Sequence, residues 1–332
     1  MEGMNHQIGK LSRYTSMSSG FNLFSVVLTI VTTVASFYLS LSAPGSASTF
    51  PGLFLVLFCV VLISWIFGRE FWLSRKQKYA NITNHYSILS SKIGKLTTEL
   101  IDEMTDLVSS SAFNRKITDK IFVECVEGIL NDFAIMFDLL TSTKCRSSIK
   151  IIPWDQSPPS PGAEYVVCFA RDLSSGPGNR QADRRRAEQK SDTISGNSDF
   201  QSLIFDSKDQ SDYYINNNIV KSVSKGTFKS TSLEYYRRKK IDSDDGRYVG
   251  RELLPYRSTM VWPMRTFEVA HGSVDKSKFI GFLCVDSEYN NVFNHRWDKN
   301  LGASVADQLV NVFYLKRQID ILVALQPNGG RK

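Results

Sequence analysis

The chain has 332 residues, 22% of them charged, with a formal net charge of +7. That positive excess is modest, and part of it clusters beside an apolar run where it suits anionic headgroups, so nucleic acid is not an expected partner. The five cysteines (Cys59, Cys125, Cys145, Cys168, Cys284) are odd in number and scattered, without CxxC or Cys/His spacing. They suggest neither a disulfide framework nor a zinc site, and they fit a reducing compartment.

Residues 1–20 read as a cytoplasmic N-terminal tail. Two charge-free apolar runs follow, at 21–41 and 50–68. Each matches the roughly 20 helical residues that cross a ~30 Å hydrocarbon layer. The eight residues between them are small and uncharged, with Pro44 and Gly45 as turn-formers, so 21–68 reads as a transmembrane helical hairpin. Lys10 and Arg13 precede the first run, Arg69, Arg75, Lys76 and Lys78 follow the second, and the loop carries no Lys or Arg. The positive-inside bias therefore places a multi-pass protein in the inner (plasma) membrane with both termini in the cytoplasm. A secretory signal peptide is the competing reading, and the second span that follows at once argues against it.

Residues 69–111 read as a juxtamembrane stalk. Apolar side chains recur at alternating spacings of three and four: Tyr79, Ile82, Tyr86, Leu89, Ile93, Leu96, Leu100 and then Leu107. That spacing is the seam of a parallel coiled-coil dimer, with Ile82, Tyr86, Leu89, Ile93, Leu96 and Leu100 as its contacts. An amphipathic helix packed on its own domain is the alternative.

The remainder, 112–325, reads as one α+β domain, followed by a disordered tail at 326–332. An amphipathic helix is predicted over 116–140, on the stripe Ile117, Ile121, Phe122, Cys125, Ile129, Phe133 and Phe137. Strands at 148–154 and 163–172 flank a Pro/Ser/Gly turn and read as an antiparallel hairpin. A polar, mobile loop is expected near 173–200. Strands follow at 258–267 and 278–286, and a closing helix at 297–324.

This order of elements resembles a GAF domain, a sensor module of the PAS-like class. The residues that carry the likeness are STMVWPM at 258–264, FIGFLCVD at 279–286, and Phe293, Asp298, Leu301, Ala306, Gln308 and Leu309 leading into the last helix. YYINNN at 213–218 resembles the segment before the pocket-side helix. The likeness covers roughly 115–322 and implies an antiparallel sheet flanked by helices, with a ligand or partner bound on one sheet face. It names no ligand or cofactor. The cyclic-nucleotide signature is not recognisable, Asn294 and Asp298 being a poor remnant, and neither His271 nor His295 stands beside a reactive cysteine.

Alternation along the strand sets Tyr165, Val167 and Phe169 against Val166, Cys168 and Ala170 as ligand-facing candidates. Trp262 and Phe282 could stack on a ring, and Arg184, Arg185 and Arg186 could hold a phosphorylated ligand. The basic run at 237–240 and the acidic cluster Asp242, Asp244 and Asp245 read more simply as solvated loops. No catalytic motif and no metal-ligand spacing is found, and no output domain is expected after the last helix. The expected function is a non-enzymatic, membrane-anchored sensor. It would be a homodimer that takes up an unidentified small molecule and passes its signal to a separate output protein. The alternative is an antiviral or abortive-infection effector whose hairpins cluster and disrupt the lipid bilayer, for which Ser25, Thr29, Thr32, Thr33, Ser36 and Ser40 would supply close helix contacts.

Overall fold

The computed structural model describes residues 49–109, 117–153, 165–175, 192–205, 212–231, 256–270, 273–296 and 298–325. The N-terminal tail, the first apolar run, Arg184, Arg185, Arg186, most of the expected loop at 173–200, both solvated-loop candidates and the tail at 326–332 lie outside the described residues. The chain divides into two compact units, Met1–Tyr79 and Ala80–Lys332.

In the first unit the described part is the beginning of helix α1 (Thr49–Ser109). No helix among the described residues is long and apolar enough to cross a membrane, which departs from the span expected at 50–68. Only from Phe58 on are its side chains described, and the eleven residues from there to Gly68 rise about 16 Å before Arg69 and Glu70 interrupt the run.

In the second unit, residues 80–109 of α1 pack with the domain itself. Ile82, Leu89, Ile93, Leu96 and Leu100 are buried in the same core as Phe122, Phe133 and Leu309. Tyr86 shares a 2.6 Å hydrogen bond with Ser304 Oγ, and Ser90 Oγ donates to Gln308 Oε1 at 3.0 Å. Lys92 pairs with Asp132. The expected dimer stalk is thus corrected. Its seam is covered by this chain's own helices, which offer the same continuous apolar face that a second copy would.

Helix α2 (Asp119–Thr141) starts at Thr118, which is extended in its backbone and whose side-chain oxygen receives the Ile121 N–H at 3.4 Å. Five strands form one antiparallel sheet in the order β2-β1-β5-β4-β3. They are β1 (Cys145–Ile151), β2 (Val167–Arg171), β3 (Tyr214–Asn216), β4 (Ser258–Ala270) and β5 (Ser273–Ser287). Helices α3 (Ser198–Phe205) and α4 (Ile219–Ser224) fall between β2 and β4, and α5 (Asp298–Leu325) closes the chain.

Strand alternation sorts the core into two layers. Cys145, Ile149, Met260, Trp262, Met264, Leu283 and Val285 face the α1, α2 and α5 side. Val261, Phe282 and Cys284 face the other way, against Val166, Ile194, Phe200 and Leu203. Trp262 is the hub of the first layer, with Phe133 and Phe137 rings at 6.0 and 5.7 Å. Helix α5 can lie on it because residue 302 is glycine; a Cβ there would meet the Trp262 ring at 2.1 Å. The indole N–H then donates to the Lys299 carbonyl at 2.9 Å, fixing the first turn of α5 over β4.

Candidate functional site

On the face away from the long helices, a buried polar group sits inside the small second layer. Lys150 stands mid-strand in β1 with its Nζ 3.5 Å from Asp192 and 5.1 Å from the Phe200 ring centroid. Burial alone would lower its pKa, but the Asp192 carboxylate and the nearby Cys284 and Cys168 outweigh that, and the net shift is upward. Asp192 also accepts from Thr231 Oγ1 at 2.7 Å. Burial pushes Asp199 up to about 6 against the opposing pull of Lys150, and it raises Asp286 although Thr259 hydrogen-bonds that carboxylate. Cys284 and Tyr256 are driven well up, chiefly by burial. The aromatic surface of this face is occupied, since Phe200 stacks on Phe282 with centroids 4.5 Å apart.

An open space lies elsewhere. A cavity of about 330 Å³ opens between β4, the start of α5 and the segment entering β3. Trp262 and Pro263 contribute to its wall, with Asp212, Tyr213, Arg265, Lys299 and Asp307 around it. The Lys299 ammonium lies 5.9 Å from the Tyr213 ring centroid, and the Tyr213 hydroxyl meets His295 Nδ1 at 3.2 Å. Burial lowers the Arg265 pKa while Asp212 and Asp307 oppose that. Asp307 is raised by burial first and then by repulsion from Asp212, with Arg265 countering. The cavity thus holds two cations and two carboxylates beside aromatic surface, a lining that suits a small ligand carrying both an amine and an acid group. Among the described residues no His, Cys, Asp or Glu group is arranged to hold a metal ion.

The candidates from sequence do not form one site. Trp262 and Phe282 lie on opposite sheet faces, because Trp262 is the register partner of Leu283. Phe169 packs against Phe122 and Phe313 at 5.8 and 5.1 Å, inside the helix-side core. The strict alternation expected along this strand breaks at Ala170, because the β1–β2 register shifts at Ile149/Lys150 and turns Phe169 and Ala170 to the same side. Tyr165 forms a bridge to Thr193 outside the strands, and Val167 pairs with Ile151 at the sheet edge. Sequence reasoning missed Lys150, Asp199, Arg265 and Asp307. The one available signal was a lysine standing between Ile149 and Ile151 in β1.

No family model matches the chain, and no curated protein matches it. Among solved structures it is similar to the crystal structure of the GAF domain from Acinetobacter phosphoenolpyruvate-protein phosphotransferase, at 10% identity. That likeness covers 73% of this chain and 98% of the other, with a TM-score of 0.33. At that score it carries no argument, and the architecture rests on the strand order and register above.

Proposed function

We propose that the chain is a non-enzymatic sensor tethered at the inner (plasma) membrane, both termini cytoplasmic, whose GAF-like domain binds a small zwitterionic molecule in the cavity beside Trp262. The observation that carries the reading is the cavity itself: about 330 Å³, within the size range of small-molecule sites, with Arg265 and Lys299 opposed to Asp212 and Asp307. The tether rests on the two apolar runs and their flanking charge.

The position of the cavity supports a way to pass the signal on. Lys299, Ala303 and Asp307 of α5 line it, while Ser304 and Gln308 of the same turns are hydrogen-bonded to Tyr86 and Ser90 of α1. A ligand seated there acts on the helix that holds α1, and it shifts that contact only as far as it binds two α5 positions with different affinity. The output passes to a separate protein or a second copy, and neither uses the Leu89–Leu100 seam.

The test is thermal unfolding of the full chain in detergent with single L-amino acids, and with simple amines and simple carboxylates as controls. A zwitterion should raise the melting temperature where neither control does. Asp307→Asn and Lys299→Met should each weaken that binding about tenfold or more. If no zwitterion stabilises the chain, or if both variants respond like the parent, the cavity is not the site.

A further inference from the structure

The first unit presents exposed aromatic side chains to which the membrane tether alone assigns no role. Phe58, Trp65, Trp72 and Tyr79 recur every seven residues along α1, and each is more than half exposed. Their spacing puts them on one side of the helix. Yet the apolar surface is not a stripe, because Val60, Val61 and Leu62, and again Phe71, Trp72 and Leu73, are exposed at successive positions. A protein groove reads one face of a helix at spacings of three and four. A helix that is apolar all round calls for a surrounding apolar medium.

Charge enters this surface in one direction only. Residues 58–68 carry none, whereas Arg69, Arg75, Lys76 and Lys78 follow with Glu70 alone against them. Three of the basic groups each lie over the aromatic ring one turn before them. The Arg69 guanidinium is 5.9 Å from the Trp65 ring centroid, Arg75 4.6 Å from Phe71, and Lys76 5.3 Å from Trp72. Rings of this kind settle at headgroup depth, while Arg and Lys extend their stems along apolar surface toward water and anionic lipid.

We infer that residues 65–78 form a collar that docks on anionic phospholipid headgroups and fixes the depth of α1 in the cytoplasmic leaflet. This inference rests on the membrane-tethered reading. The excess of three positive charges sets the lipid class, and the rings set the depth.

The experiment is tryptophan fluorescence of the full chain reconstituted in bilayers. Brominated phosphatidylglycerol diluted in phosphatidylcholine is compared with brominated phosphatidylcholine diluted in phosphatidylglycerol. The expected result is stronger quenching by the brominated anionic lipid, and by bromines near the headgroup rather than at the chain ends. The Trp65→Phe/Trp72→Phe chain should lose it. Arg75→Gln/Lys76→Gln should keep the quenching but lower the preference for phosphatidylglycerol by about fivefold per charge removed. Equal quenching by both lipids would overturn the anionic collar and leave the tether standing. No quenching by either would overturn the tether as well.

Discussion

Asp199 opens α3 on the covered face, where its Oδ1 receives the Phe200 N–H at 3.0 Å and burial holds its pKa at about 6. An aspartate in the unfolded chain titrates near 3.9. The folded state therefore binds the proton more tightly, and unfolding between those two values releases it. Stability should fall as pH rises from about 4 to about 6, with the full cost, up to about 3 kcal/mol, present above that window and absent below it. Asn accepts the same N–H without a charge to bury. Urea unfolding across this pH range should show a shallower decline for Asp199→Asn than for the parent, and a higher midpoint at neutral pH. An unchanged slope would mean that the carboxylate is solvated when ionised.

Helix α1 was legible as a seam but not as to its partner. Heptad spacing says that an apolar line must be covered, and it is silent on whether a second copy or the chain's own α2 and α5 covers it. Leu89 and Leu100 are fully buried within the single chain. Leu89→Ala and Leu100→Ala should therefore each cost about 2 to 5 kcal/mol of domain stability, read by chemical denaturation, with no change in oligomeric state by light scattering. Loss of a dimer without loss of stability would restore the coiled coil. The same limit applied to the site. Period-two patterning placed β4 and β5 within a few residues of their ends, but only their register, Trp262 against Leu283, shows that Trp262 and Phe282 face apart. Lys150 and Asp199 stand 49 positions apart in sequence, and strand pattern has no means of pairing them.

Over the whole domain, one sheet separates two apolar layers with a cysteine buried in each. Cys145 belongs to the helix-side layer and Cys284 to the other. Burial lifts the Cys145 thiol to about 12 and Cys284 well above its usual range, so neither supplies thiolate while folded. If the layers open together, iodoacetamide should modify both cysteines with one dependence on denaturant, later than the half-buried Cys125 and Cys168. Earlier modification of Cys284 would show the covered face opening by itself. The joint between layers and helix also has a hereditary side. Trp262 meets α5 where residue 302 has no side chain, and every single-base change of a glycine codon that is not silent either adds a side chain or ends translation. The closure of the domain over its cavity therefore hangs on one codon with no neutral amino-acid neighbour, and lineages that keep the cavity have almost no freedom to drift there.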